Sequence, residues 1–343
     1  MQGELLDRTV SRQDESRPGA EEASSEGVVL LKSNSTSEVQ TTIPHAMAVA
    51  QALGRKVRLV QVVGAGEAAG IPVDPVEWDL KKRQAQVRLT ELEARYGHAG
   101  CPTDTRIVQR FLPSLIGGCH DPDHEPIFCF ARHEKVLPWD REDELRRFMH
   151  SGCSSVLLVP ENVSADCPAS YRRLLVMLDG SSRAERVLPA AVALSRFHGA
   201  ELLFVHVTPD AGLTVTGPLE PEALDLRKQV MLRNRRVASQ YLANIRSRVE
   251  SQALPMTTRV LEGGDVRHKL IEVVKDTQSD LVLIASQGTT GHADVATGTV
   301  ARFVLENAQV PVLMIGREYE KTDARLYSDV KASAGLRANS TMA

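Results

Sequence analysis

The part of the sequence best suited to chemistry is a glycine-marked stretch in the C-terminal half, SQGTTGHADVATGTVA at residues 286–301. It follows an apolar run, DLVLIA, that is typical of a buried strand, and Gly298 and Thr299 open a helical pattern. Exposed amides and the positive end of a helix dipole favour an anion at such a point, and the Thr299 hydroxyl adds a donor. The stretch is interpreted either as a cradle for phosphate groups or as an ordinary turn.

Two more residues would complete a ligand site in this half. Asp179 follows the apolar run LLVML, and ligands of open parallel sheets bind beyond the carboxyl ends of the strands. Its carboxylate could accept hydrogen bonds from a ribose, although the segment LDGSS equally suits a helix cap. Gly288 offers either a positive φ or a close approach of the backbone to a ligand.

The elements that would position these residues occur twice in the chain. Residues 28–63 align without gaps on residues 173–208, with Gly54 opposite Gly199. Each copy contains an apolar run, a helical pattern, a glycine stop and a second apolar run. Strands alternating with helices imply right-handed crossovers, so the predicted fold class is α/β, with two tandem doubly wound parallel-sheet domains.

The ends of the two halves also correspond, since SVLLVP at residues 155–160 aligns with PVLMIG at residues 311–316. Both segments read as apolar edge strands, which predicts pairing with each other or across a homodimer. The predicted organisation is a disordered tail over 1–26, a domain over 27–160, a linker over 161–170, a second domain over 171–316 and a C-terminal tail over 317–343.

Apolar residues at helical spacing predict the buried faces of three helices. The predicted faces are Ala85, Leu89, Leu92 and Tyr96 in the first half, and two sets in the second, Ala190, Ala191, Leu194 and Phe197, then Val237, Tyr241, Ile245 and Val249.

The second half is similar to a universal stress protein domain, of the adenine-nucleotide α-hydrolase-like α/β group. The similarity covers LLVMLDGSSRAERVLPAAVALSR, LLFVHV and LEGGDVRHKLIEVVKDTQSDLVLIASQG. The loop from Gly288 to Thr299 fits the ATP signature of the family, G-x-x-G, nine residues, then G and S or T. The first glycine of that signature is Ala285 here, which places a methyl group where relatives bring backbone against the nucleotide.

The resemblance implies ATP or a related adenine nucleotide, with or without Mg²⁺, as the ligand of this half. It also implies a set of nine binding residues. These are Asp179 toward the ribose, Val207 and Ile284 toward the adenine, Ala285 at the substituted glycine, and Gly288, Thr289, Gly298, Thr299 and Val300 toward the phosphates.

The function expected from this resemblance is a stress-response protein that acts as a nucleotide-dependent switch or interaction module. Two alternatives stay open: a slow nucleotide hydrolase, for which Asp179 is the obvious acidic candidate, and a nucleotide-free scaffold in which Ala285 closes the pocket. No G-x-S-x-G elbow and no P-loop lysine occur in the sequence, so no catalytic residue is assigned and a binding module is favoured over an enzyme.

The first half is expected to have lost this site. Asn34, Arg132 and the pair Glu142–Asp143 occupy the positions of the carboxylate, the loop glycine and the helix-opening pair of the second half. Two carboxylates at a helix start suit the helix dipole but would repel a triphosphate. This half is interpreted as a degenerate copy that keeps the fold and pairs with its partner.

Three other patterns carry less weight. GAGEAAG at 64–70 resembles a dinucleotide fingerprint, but Pro72 and Pro75 block the helix that the fingerprint needs. The Cys and His residues within 119–124 are zinc-type ligands, yet no C-x-x-C pair is present, and loop polarity explains them more simply. The basic segment at 227–236 is interpreted as the solvated face of a helix.

Composition limits the remaining classes. A chain of 343 residues, 42% hydrophobic and 25% charged, is long enough for two soluble domains. The net charge of -3 argues against a nucleic-acid-coating surface. No apolar run is long enough for a membrane helix, and the N-terminus lacks the features of a signal peptide. A cytoplasmic location with five reduced cysteines is therefore expected.

Overall fold

A computed structural model gives the structure of the chain. It describes residues 28–32, 36–63, 75–97, 101–108, 126–132, 155–163, 168–210, 221–250, 254–288 and 297–316. The strands are β1 Val28–Lys32, β2 Lys56–Val62, β3 Thr103–Val108, β4 Ile127–Arg132, β5 Ser155–Pro160, β6 Arg173–Met177, β7 Glu201–Thr208, β8 Met256–Glu262, β9 Leu281–Ala285 and β10 Val312–Ile315. The helices are α1 Thr36–Ala52, α2 Pro75–Tyr96, α3 Leu188–His198, α4 Pro221–Glu250, α5 Val266–Asp276 and α6 Thr299–Asn307, with a 3₁₀ turn at Ala184–Val187.

All ten strands belong to one sheet, in the order β3-β2-β1-β4-β5-β10-β9-β6-β7-β8. Every neighbouring pair is parallel except β5 and β10, which are antiparallel and place Leu157 opposite Leu313. Each set of five strands has the order 3-2-1-4-5, counted from its own first strand. The predicted α/β fold class with doubly wound parallel strands is confirmed.

The strands are apolar on both faces because helices cover both sides of the sheet. Along β6, Leu174 and Val176 pack into one hydrophobic cluster, whereas Leu175 and Met177 pack into the cluster on the opposite face. Successive side chains of a strand point to opposite faces, so this alternation divides one short strand between two cores. β9 and β10 are buried along their whole length in the same way.

The predicted buried face of α2 is confirmed. Ala85 and Leu89 are buried, and Leu92 and Tyr96 pack against the same core. At the end of α3, Gly199 has φ 68°, the left-handed conformation that favours glycine as a helix C-cap.

Two predicted helix positions are wrong. Val237 is 54% exposed, and the buried face of α4 is instead Ala238, Leu242, Ile245 and Val249. A constant spacing of four residues drifts around a helix of 3.6 residues per turn, whereas alternating steps of four and three follow one face. Phe197 is 51% exposed, although His198 in the same turn contacts the buried Tyr171 ring.

A buried polar cluster lies where the two halves meet. The Nδ1 atom of His45, on α1, is 2.9 Å from the Tyr171 hydroxyl, and Tyr171 lies two residues before β6. The Tyr171 ring also contacts the His198 ring edge-on, with centroids 4.9 Å apart. Burial lowers the pKa of His45 to about 4 and raises the pKa of Tyr171 well above its ordinary value.

Several sequence predictions fall outside the described residues. These are the two tails, the loop at 64–70, the Cys and His cluster at 119–124, the pair Glu142–Asp143, Asn34 and Thr289. The domain boundaries at 27–160 and 171–316 stay predictions. In the part of the chain that the structure describes, no helix is long and apolar enough to cross a bilayer, and no three His, Cys, Asp or Glu side chains are grouped to hold a metal ion.

The buried His45 makes stability depend on pH. Its pKa in the folded protein is below the value of about 6.5 expected in the unfolded chain, so the unfolded chain binds the extra proton between pH 6.5 and 4. Stability is therefore complete above pH 6.5 and falls as the pH drops toward 4. We expect a loss of about 3 kcal/mol across this window from His45.

Urea unfolding of the wild type and of His45→Gln at pH 7, 5.5 and 4.5 tests this expectation. The glutamine amide can still bond the Tyr171 hydroxyl but does not titrate, so the variant should lose less stability toward low pH. Parallel pH profiles for the two proteins would contradict the assignment.

Candidate functional site

A cavity of about 260 Å³ opens at the carboxyl ends of β6, β7 and β9, in the C-terminal half. Eight of the nine residues that the family resemblance implies line it, and the ninth, Thr289, lies outside the described residues. The eight are Asp179, Val207, Ile284, Ala285, Gly288, Gly298, Thr299 and Val300. The sequence therefore identified residues that are far apart in the chain and close together in the fold.

Sheet topology explains why the cavity forms there. β6 is the first strand of its half, and the chain continues to β7 on one side while β9 is paired on the other side. At such a change of direction the helices following the two strands lie on opposite faces, which leaves a crevice at the carboxyl ends of the strands. The parallel pairing of β6 and β9 aligns Val176 with Leu283, so the segments that leave both strands border the same crevice.

Asp179 and Gly288 face each other across this crevice. The Oδ1 atom of Asp179 accepts hydrogen bonds from the Ser181 amide at 3.0 Å and the Ser181 hydroxyl at 2.6 Å. A Cβ atom added to Gly288 would collide with the other carboxylate oxygen, Oδ2. Gly288 does not have a positive φ, so close approach, not backbone conformation, is what requires glycine at this position.

Asp179 does not cap a helix, the alternative that the sequence allowed: the N-cap residues of the 3₁₀ turn and of α3 are Arg183 and Val187, and the Asp179 carboxylate bonds Ser181 in the turn before them. Ser181, which Asp179 fixes, uses its hydroxyl oxygen to accept a hydrogen bond from the Ala184 amide at 3.1 Å, at the start of the 3₁₀ turn. One oxygen of Asp179 thus organises the turn, while the carboxylate as a whole lines the cavity. The structural role and a ligand-binding role do not exclude each other.

The N-terminus of α6 forms the polar end of the cavity. Gly298 is its N-cap residue and has no side chain with which to cap the helix, and the first helical hydrogen bond runs from the Arg302 amide to the Gly298 carbonyl at 3.0 Å. The amides of Thr299, Val300 and Ala301 therefore have no acceptor within the helix. They supply the donors and the positive end of the helix dipole that an anion would use.

One predicted donor is not available. The Gly298 amide donates to the Ser286 carbonyl at 2.7 Å, so the expectation that it is a bare donor for phosphate is wrong. This hydrogen bond closes the loop between β9 and α6 and leaves anion binding to the next three amides. Gly298 is in an extended conformation at φ -65°, ψ 151°, and an added Cβ would lie 3.6 Å from the Ser286 carbonyl oxygen, an ordinary contact.

The other end of the cavity is apolar. Val207 and Ile284 form part of its wall, and Ala285, the residue that replaces the first glycine of the signature, also lines it. Sequence reasoning missed nine other lining residues, among them Leu178, Ala184, Val205 and Ala301; the other five follow. These five are Met177, Val266, Leu270, Ser286 and Gln287.

Only some of the missed residues left a signal in the sequence. Ser286 and Gln287 are polar, buried and directly between two residues already singled out, so their position after β9 could have identified them. Val266 and Leu270 come from the first turns of α5, where nothing but helical spacing marks them. Their approach to the cavity depends on how α5 packs on the sheet.

His206 lies near the site without lining the cavity. Its pKa is lowered by burial, an effect that a hydrogen bond with the Leu178 backbone and the Asp179 carboxylate partly offset. The ring therefore stays neutral at neutral pH. It is a residue of strand β7.

Asp179 is the only charged side chain that the structure places on the cavity wall. The negative charge of a bound phosphate would therefore be stabilised by backbone amides and the α6 dipole, not by a lysine or arginine within the described residues. The apolar wall, the acceptor at Asp179 and the amides at α6 give the cavity three chemically different regions.

Comparison with known proteins assigns this half to a family. The model of the universal stress protein family matches residues 170–316, the segment that contains β6 to β10 and the whole cavity. This half of the chain is a universal stress protein domain.

Similar proteins extend the comparison. The universal stress protein YxiE of Bacillus subtilis is 26% identical over 151 residues, which span 42% of this chain and 99% of the relative. The crystal structure of a universal stress protein from Archaeoglobus fulgidus covers 84% of this chain and 98% of its own, with a TM-score of 0.57 at 16% identity. A functionally unknown protein from Pseudomonas aeruginosa covers 90% of this chain and 98% of its own, with a TM-score of 0.56 at 12% identity. The two structures share the fold across both halves.

The contact between Asp179 and Gly288 yields a prediction about this universal stress protein domain in the absence of ligand. Gly288→Ala should push the Asp179 carboxylate aside and break its bonds to Ser181, at a cost of about 1 kcal/mol in unfolding free energy. Gly298→Ala is the matched control, because its Cβ meets only an ordinary contact.

The Ser181 amide resonance in an NMR spectrum is the readout. It should move in Gly288→Ala and stay in place in Gly298→Ala. An unmoved Ser181 amide in the first variant would show that the two residues are not in contact.

Proposed function

We propose that the C-terminal domain binds ATP or a related adenine nucleotide in the cavity, and that the protein is a cytoplasmic nucleotide-dependent switch or interaction module of the stress response. The observation that carries the proposal is the convergence of Asp179, the β9 loop and the α6 N-terminus on one cavity. The family resemblance assigns these same segments to the ribose and the phosphates.

The three regions of the cavity suit the three parts of a nucleotide. The purine packs against the apolar wall of Val207 and Ile284, and the Asp179 carboxylate accepts from ribose hydroxyls. The phosphates lie against the amides of Thr299 and Val300. A Mg²⁺ ion that accompanies ATP would be held mainly by the phosphates and water, as is usual for this ion.

A switch requires that the nucleotide favour one conformation over another. The loop that Gly298 and Ser286 close and the following helix α6 are the parts of the proposed site that a phosphate would contact directly. A ligand that holds them in place changes the surface around the cavity mouth, and we propose that a partner protein reads this surface. Pairing of the two halves through β5 and β10, and a homodimer, complete the proposed assembly.

The first half does not contribute a second nucleotide site in this proposal. Arg132 takes the position of Gly288 and is buried in contacts with the other half of the chain. Its guanidinium donates to the Leu305 and Ala308 carbonyls of the other half, so this position carries a long side chain where the second half has bare backbone. One nucleotide for each chain is therefore expected.

The charge at the start of α6 provides the main test. Gly298→Glu places a carboxylate beside the proposed phosphate position and should weaken ATP binding at least about tenfold, by charge repulsion. Gly298→Gln is the control, because it has the same size without the charge. Isothermal titration of ATP into the wild type and the two variants gives the affinities.

Equal affinities of Gly298→Glu and Gly298→Gln would contradict the phosphate position. Native mass spectrometry of the purified wild type adds a direct check, since a co-purified adenine nucleotide is expected. If the protein neither co-purifies with a nucleotide nor binds added ATP, the alternative of a nucleotide-free scaffold, with the pocket closed by Ala285, would be favoured.

The other alternative, a slow nucleotide hydrolase, is separated by Asp179→Asn. Asparagine can still accept the Ser181 hydrogen bonds and keep the turn, but it cannot act as a base. If the protein is a binding module, the wild type should release phosphate from ATP no faster than the Asp179→Asn variant does. Phosphate release measured at saturating ATP tests this, and a wild-type rate well above that of the variant would favour the hydrolase.

A further inference from the structure

Arg132 joins the first half of the chain to the helix that begins at the cavity. It ends β4, and its side chain is buried at 7% exposure. One guanidinium nitrogen, Nη1, donates to the Leu305 carbonyl at 2.8 Å, and Nη2 donates to the Ala308 carbonyl. Both carbonyls belong to the C-terminal end of α6.

These carbonyls need an external partner. The last helical bond of α6 runs from the Ala308 amide to the Val304 carbonyl, so the carbonyls from Leu305 onward have no amide to accept from within the helix. Leu305 and Ala308 are 1% and 0% exposed, so water does not replace the missing partner. A guanidinium is well suited to this position, because it offers several donors and its positive charge complements the negative end of the helix dipole.

The antiparallel pairing of β5 and β10 creates this contact. It brings the connection between α6 and β10 to the carboxyl ends of β4 and β5, where Arg132 lies. Asn162, just after β5, donates to the Gln309 side chain at 3.4 Å, and the Gly316 amide donates to the Ser155 hydroxyl oxygen at 3.0 Å. The first half therefore holds the segment from the end of α6 to the end of β10 at three points.

The same position has opposite roles in the two halves. In the sequence alignment Arg132 corresponds to Gly288, the residue whose backbone lies against Asp179 at the cavity. In the first half a long cationic side chain takes this place and binds the other half. Arginine in place of glycine at this one position thus accounts both for the expected loss of a site in the first half and for the support of α6 in the second.

We propose that Arg132 is a positioning residue for the nucleotide, a proposal that rests on the function proposed above. By fixing the C-terminal end of α6, it fixes the direction of a helix of nine residues whose opposite end presents the amides of Thr299 and Val300 to the cavity. The first half thereby sets the affinity for the phosphate part of the ligand without contacting it.

Hydrogen exchange in the ligand-free protein tests the mechanical part. Arg132→Ala should speed amide exchange in α6 about tenfold relative to the wild type, whereas α3 and α5 should be unaffected. Arg132→Lys, which keeps the charge with fewer donors, should give an intermediate rate and covers the case in which the alanine variant does not fold. Arg58→Ala is the matched control, since Arg58 makes a bidentate ion pair with Asp104 in the same half but far along the sheet from α6.

Affinities for ATP and adenosine test the ligand part. Arg132→Ala should weaken ATP binding by roughly 2- to 30-fold and adenosine binding much less, because adenosine has no phosphate to meet the α6 amides. Arg58→Ala should leave the ratio of the two affinities unchanged. A residue with a merely structural role would weaken both ligands equally or neither.

The outcomes separate the two proposals. Unchanged α6 exchange in Arg132→Ala, or equal loss of affinity for ATP and adenosine, would overturn the positioning role. A wild type that binds neither compound would overturn the proposed function. The exchange rates of α6 would then still decide whether Arg132 holds the helix.

Discussion

The antiparallel pairing of β5 with β10 is the interaction on which the rest of the structure depends. Without it, each half would end in an apolar strand with one unpaired edge. An unpaired edge of this kind invites pairing with another chain. With it, ten strands form one sheet, and each of the two hydrophobic clusters contains residues of both halves. The same pairing carries the end of α6 to the first half, so the geometry of the cavity is connected to the joint between the halves.

The two halves share a strand order but differ in what lies at the carboxyl ends of the strands. In the second half, glycine at 288 leaves space beside Asp179, and an uncapped helix presents amides to a cavity. In the first half, arginine at 132 fills the corresponding position and satisfies carbonyls of the other half. Each half has a switch point in its strand order, where a ligand site could form. The described part of the chain contains one candidate site, and the two halves differ there in the side chains at single positions.

The joint between the halves is polar as well as apolar. A buried hydrogen bond joins the Nδ1 atom of His45 to the Tyr171 hydroxyl, and the Ala169 amide donates to the Pro44 carbonyl at 3.0 Å. Buried polar contacts add less to net stability than apolar packing, but each has only one arrangement that satisfies its partners. We infer that these contacts fix the register of α1 against the second half, while the hydrophobic clusters on both faces of the sheet supply most of the stability.

The sequence by itself determined the α/β class, because strand and helix periodicity are local properties of the chain, and the set of candidate site residues came from the family resemblance of the second half. It did not determine which face of α4 packs on the core. Val237 and Ala238 are adjacent residues on different faces of the helix, and only packing against the sheet selects the face with Ala238. It also did not reveal that the Gly298 amide bonds to Ser286, or that Arg132 binds α6 from the other half. Those contacts join residues distant in sequence, and they exist only once the strands have paired and the helices have packed.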